Sequence, residues 1–243
     1  MDDEELIHEV RRLRAKGHSP KEIARALGVR PALVAPLVRR IGAEESGAPA
    51  ESSVVRCWVS RGWSDGLTVD GHPEWPDAGH DIVDVDRGCS GLVGVLIARE
   101  HRRSRLSVCG YLVDAYCLGV KDALGPDVMD GRELAVFARH YFSAFGVPPL
   151  DAPIELARHL VHGAVEYARG LGFEPAPDFD AARGHLGPWQ GPSAIGFGRD
   201  GKPMFVAGPY DDSSAVMRTL ERSIGQNGFD FVVPADAPGL RAA

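Results

Sequence analysis

Apolar residues along the chain change period several times, and each change marks an element. Leu6, Ile7, Val10 and Leu13 recur at helical spacing up to Gly17, predicting a short amphipathic helix over residues 4–16. Ser19-Pro20-Lys21-Glu22 then carries the signals of a helix start. Ser19 can cap, Pro20 suits the first helical position, and Glu22 can reach back to close a capping box. Ile23, Ala24 and Leu27 would face inward, and Gly28 supplies the turn. Leu33, Val34, Leu37, Val38 and Ile41 predict a third helix opening at Pro31.

Residues 43–53 (AEESGAPAESS) have linker composition. Beyond them the period falls to two. Val54–Trp63, Leu92–Arg99 and Arg105–Val113 read as strands, the last two joined through the basic turn His101–Ser104. A long Gly-, Asp- and Pro-rich loop, Ser64–Gly91, separates the first two and holds Trp75. Asp130-Gly-Arg-Glu133 predicts a capped helix bearing Leu134, Phe137, Ala138, Tyr141 and Phe145. Another helix opens at Pro153 and runs through Tyr167 and Ala168 to about Gly170 or Gly172. Ala194–Phe197 and Met204–Ala207 flank Arg199-Asp-Gly-Lys202, which predicts a hairpin. A helix from Ser213 to Gly225 and a strand over Phe229–Val233 complete the chain. Strands and helices in this order predict an α+β fold. A small three-helix unit (1–42) and a linker (43–53) precede a larger α+β domain (54–243) with a mostly antiparallel sheet.

Composition fits a soluble globular chain: 243 residues, 44% hydrophobic and 25% charged. It excludes a disordered, collagenous or coiled-coil protein. The acidic start Met1-Asp-Asp-Glu-Glu is the reverse of a basic signal-peptide segment. The longest apolar stretch, residues 91–98, is far below the roughly 20 residues of a membrane span. Cys57, Cys89, Cys109 and Cys117 form no CxxC pair, so a zinc ribbon or thioredoxin motif is excluded and buried reduced thiols are expected. Cytoplasmic localisation follows as an expectation, with no membrane partner. Only four basic residues are Lys and 23 are Arg. Beside 29 Gly and 18 Pro this reads as GC-rich bacterial coding, which lowers the weight of any single arginine.

Charge is segregated. Residues 6–42 hold nine Lys or Arg against Glu9 and Glu22, a net +7; the whole chain carries −7, so the remainder carries −14. Any nucleic-acid contact is therefore expected through the N-terminal end. The string GHSPKEIARALGVRPALVAPLVRRI resembles the homeodomain-like helix-turn-helix of resolvases and many bacterial regulators, over residues 6–42. That resemblance implies DNA binding with the third helix in the major groove and Arg30, Ala32, Ala35, Arg39 and Arg40 nearest the DNA, while the basic charge adds Lys21 and Arg25 to the nucleic-acid contacts. Two residues depart from the family pattern: Arg30 stands where Ser or Thr usually caps, and Pro36 falls inside the third helix. A trihelical packing or dimerisation module is the bland alternative. The strings YLVDAYCLGVKD, HGAVEYARGLGFEPAPDF and FGRDGKPMFVAGPYDD make the body similar to a group of bacterial proteins to which no activity is attached.

Three clusters in the body have residue types suited to chemistry. His159, His162 and Glu166 lie at i, i+3 and i+7, so they share one helix face and have metal-ligand spacing. The polar character of that face predicts that it meets solvent, and surface histidines are the ordinary case. Asp114, Lys121 and Asp122 emerge from an apolar run. They read as an acid/base site or, more simply, as an ion pair of Lys121 with Asp114 or Asp122. Asp211 and Asp212 offer two carboxylates that could bind a cation, but before Ser213 they read more simply as a helix cap. No GxGxxG, P-loop or GxSxG is present, so no cofactor is expected. The expectation is a DNA-binding, regulatory protein whose acidic body senses, dimerises or binds a protein partner. As a homodimer it would gain avidity from two heads. An enzyme housed in the body and an RNA- or protein-binding adaptor are the alternatives, with the balance against an enzyme.

Overall fold

The structure, a computed structural model, describes residues 9, 10, 12, 13, 20–29, 34, 52–77 and 91–233. The chain divides into two compact units, Met1–Glu51 and Ser52–Ala243.

In the first unit, residues 9, 10, 12 and 13 are helical, and α1 spans Pro20–Leu27. Proline at the first helical position costs nothing because its missing N–H would have no partner there. The helix ends on Gly28, whose φ of 65° is a left-handed conformation that a side chain would resist. Gly28 N–H donates to Arg25 C=O and Val29 N–H to Ala24 C=O, the paired bonds of a Schellman stop. Val10, Ile23, Ala24 and Val34 bury their side chains in one cluster, flanked by Leu13, Leu27 and Val29. The Ser19 cap, Arg30, Pro36, Arg39 and Arg40 lie outside the described residues.

The second unit is α+β. Its five-stranded sheet is antiparallel throughout, in the order β5-β4-β3-β1-β6. These strands are β1 (Val54–Val59), β3 (Leu92–Glu100), β4 (Leu106–Asp114), β5 (Gly119–Met129) and the two-residue β6 (Leu150–Asp151). β3 is buried on both faces, hence its unbroken run Leu-Val-Gly-Val-Leu-Ile-Ala rather than an alternation. On one face Val95, Ile97, Cys109 and Tyr111 pack against the long helix α3 (Ile154–Gly170). On the other, Leu96, Ala98 and Val108 pack against α2 (Gly131–Phe142). The predicted capping box forms: Asp130 accepts from Arg132 and Glu133 N–H, and Glu133 accepts from Asp130 N–H.

Over residues 194–233 the elements form, but the strand pairing differs from expectation. Asp200 and Gly201 make the tight turn, both with positive φ, and Arg199 and Lys202 form an isolated bridge. No hairpin ladder grows from it. Instead β7 (Ile195–Gly196) pairs with β2 (Thr68–Val69), out of the long loop. β8 (Met204–Val206) pairs in parallel with β9 (Asp230–Val232), with helix α5 (Ser213–Ile224) as the crossover. Turn chemistry is local, whereas the choice of strand partner is decided by packing at long range. Leu220, Phe205 and Phe229 seal this βαβ unit against Cys117 and Leu171.

Cys57, Cys109 and Cys117 are free and buried, as their apolar surroundings predict. Burial pushes the Cys57 and Cys109 thiols up to about 12, so neither supplies a thiolate at neutral pH.

Candidate functional site

α3 presents His159, His162 and Glu166 on one face, as the spacing predicts, but that face is only partly open to solvent: Glu166 is exposed and the two histidines are half-buried. Two connecting segments cover it. From the long loop, Trp75 packs its ring 5.2 Å from that of His159 and stacks on His72 at 3.7 Å, nearly parallel. From the other side, Trp189 stacks on His162 at 5.3 Å and turns its edge to His159 at 5.0 Å. The Trp189 indole N–H donates to Glu166 Oε1 at 2.6 Å. His162 also meets the edge of Phe179, which opens the short helix α4 (Phe179–Ala182). Six rings from four segments thus form a continuous band along the helix.

The backbone after Trp189 is fastened to the same helix. Ser193 Oγ donates to the His159 carbonyl at 2.9 Å, and Ala194 N–H donates to His159 Nδ1 at 2.8 Å. Gly163 makes room for this approach, since a Cβ there would stand 2.6 Å from Ser193.

This geometry decides the protonation of the histidines. An imidazole that accepts through Nδ1 carries its proton on Nε2 and is neutral. His159 is in that state, and burial with the nearby His72 holds its pKa below the ordinary value. The His162 Nε2 is buried with no hydrogen-bond partner, and desolvation pushes its pKa down to about 4. With His159 Nδ1 and Glu166 Oε1 both engaged by protein donors, the trio offers no set of free lone pairs converging on one point. Among the described residues no three His, Cys, Asp or Glu side chains are placed to hold a metal ion. The three residues do act together, as the floor on which Trp189 rests.

Asp114, Lys121 and Asp122 separate. Asp114 is 3% exposed and accepts the N–H groups of Tyr116 and Cys117 at 3.0 and 2.9 Å, closing the turn between β4 and β5. Burial lifts its carboxyl to about 6, against the pull of the Lys121 charge. Lys121 donates not to Asp114 or Asp122 but to Asp211 Oδ2, at 2.6 Å. Asp211 also accepts the Gly208 N–H, so the pair ties β5 to the segment leading into α5. Asp122 is exposed on β5. The acid/base trio is therefore a turn cap, a structural ion pair and a surface carboxylate. Asp212, the residue beside Asp211, caps α5 through Ala215 N–H.

Replacing Lys121 with Met leaves a largely buried Asp211 without its cation, and stability should fall by about 1–3 kcal/mol. Urea unfolding checks this, and a change within error would remove the tether from the fold's support.

Of the residues assigned to nucleic acid, Lys21 and Arg25 lie on α1, where Arg25 is exposed. No helix among the described residues is long and apolar enough to cross a membrane. No protein-family model, curated protein or solved structure matches the chain.

Proposed function

We propose that the chain is a DNA-binding, regulatory protein that contacts DNA through residues 6–42 and uses its acidic body to sense a ligand or bind a partner. One observation carries this reading. Val10, Ile23, Ala24 and Val34 converge from three successive segments, and the glycine stop at Gly28 lies between the second and third. A helix-turn-helix needs that convergence, because its short helices bury an apolar face only against one another. The +7 charge of the same 37 residues supplies the phosphate contacts, while the −14 elsewhere repels a polyanion and confines binding to this end.

The test is fluorescence anisotropy of the full chain with a labelled duplex at several salt concentrations. Affinity should fall linearly on a log–log plot. The double variant Arg39→Gln/Arg40→Gln should weaken binding and reduce the slope by about 2. Salt-independent binding, or no binding at low salt, rejects the reading. Equal or tighter binding to single-stranded RNA would assign the head to RNA instead.

A further inference from the structure

The α2 face of the sheet carries an open groove of about 560 Å³, within the roughly 300–1,000 Å³ of small-molecule sites. Its floor is apolar, from Trp58 on β1 and Leu106 on β4. Its wall is α2, where Ala135 and Ala138 stand in place of larger residues and leave the space between helix and sheet unfilled. Two guanidinium groups stand at this apolar slot. Arg139, one residue past Ala138, is exposed and has no ion pair or hydrogen bond among the described residues. Among the described residues the Arg56 guanidinium pairs only with Asp151, at 3.7 Å at the rim of the same groove, both side chains more than half exposed. An exposed pair at that distance is worth little and is readily exchanged for a better acceptor.

An apolar floor beneath two weakly engaged guanidinium groups is complementary to one kind of molecule. Water satisfies the arginines but not Trp58 and Leu106; an uncharged hydrocarbon does the reverse. A carboxylate on an apolar body satisfies both, its oxygens accepting from Arg139 while its chain lies over the floor. We infer that this groove binds a free carboxylic acid with a medium-length aliphatic or aromatic body. Neither the basic head nor the ring band on α3 contributes to the site, so the inference stands or falls without the DNA reading.

The probes are decanoate and 1-decanol, titrated into the full chain by calorimetry in the absence of nucleic acid. Decanoate should bind saturably at one site, about tenfold more tightly than the alcohol, the ratio a charge-assisted contact provides. Arg139→Gln should remove most of that preference while leaving decanol binding unchanged. Ala135→Phe should abolish binding of both; Ala135 is exposed, so the variant should keep the wild-type circular dichroism and melting curve. No saturable binding overturns the proposal. So does decanoate binding that survives Ala135→Phe, or equal affinity for acid and alcohol. A dimer in sedimentation that Ala135→Phe dissociates, with no decanoate binding, would give the groove to a second copy of the chain.

Discussion

Replacing Arg99 with Met should lower the melting temperature by roughly 10 °C and loosen residues 183–187 before the rest of the body. Arg99 lies on β3, between Val54 of β1 and Ser107 of β4, and is 2% exposed. Its guanidinium donates to three carbonyls: His185 at 2.7 Å, Ser52 at 2.6 Å and Leu186 at 3.2 Å. Arg158 of α3 donates to the same Leu186 carbonyl at 2.9 Å. The end of β1, the middle of the sheet and the turn after α4 are thus held through one planar cation. A buried ion pair can often be replaced by apolar residues without loss, since both charges leave together. Here the partners are backbone carbonyls that stay behind. Methionine fills the stem's space but donates nothing: the buried His185 carbonyl loses its donor, Ser52 loses this one too and Leu186 keeps only Arg158, at a cost of about 3–5 kcal/mol. In a unit of this size each kcal/mol moves the midpoint by about 2–4 °C. Arg99→Lys should recover less than half, because a point charge cannot reach three divergent oxygens. A thermal melt checks the size of the effect, and hydrogen exchange across 183–187 checks its location. A fall of under about 3 °C would mean that these carbonyls are satisfied by other means.

Sequence order hides such a clasp. Arg99 closes an apolar run and looks like the polar residue that ends a strand; nothing local shows that residues 185 and 186 return to it. Where period and caps agree, the chain is legible: β3, β4, α3 and α5 lie within a residue or two of their predicted limits, and α2 starts at its predicted cap but stops at Phe142, leaving Phe145 in a 3-10 turn. β5 is not. Lys121, Asp122, Gly125 and Pro126 interrupt its alternation, as an edge strand tolerates and a central one does not. The polar face of α3 fails for another reason. Amphipathicity states what a face is made of, and loops from residues 72–75 and 189–194 decide whether water reaches it. Gly187-Pro-Trp189-Gln-Gly-Pro does carry a signal, a lone tryptophan in a Pro- and Gly-rich connection. A ring of that size in a loop generally needs a surface to lie on, and His162 with Glu166 provides it.

Those covered histidines should make the body less stable as pH falls from 7 to 5. Burial lowers His162 to about 4, and His185 to about 4 as well, the second helped by the Arg99 charge. His185 Nδ1 is buried without a partner, and Nε2 lies 3.0 Å from the Ser107 carbonyl. In the unfolded chain both imidazoles take up protons as pH drops through about 6.5; in the folded chain they resist until about 4. The unfolded state therefore binds more protons across this window, and folding stability is lost as pH falls. Asp114 acts in the opposite sense. Its carboxyl, raised to about 6 when folded, binds a proton before the unfolded chain does and returns stability over the same range. At pH 5 the two histidines withdraw about 2 kcal/mol each, less for the partly exposed His162, and Asp114 restores about 1.4. The net loss is about 2 kcal/mol. Glu74 and Asp130, whose carboxyls lie below their ordinary values, contribute to acid sensitivity only at lower pH, while His159, also held below its ordinary value, adds to the loss within this interval. Urea midpoints at pH 7 and 5 measure the difference. His162→Gln should shrink it, because the unfolded chain then gains one proton fewer. Asp114→Asn should enlarge it by removing the opposing group, whatever the variant does to stability at pH 7. A wild-type profile flat between pH 7 and 5, or one that Asp114→Asn leaves unchanged, would contradict neutral burial of the histidines and the raised carboxyl respectively.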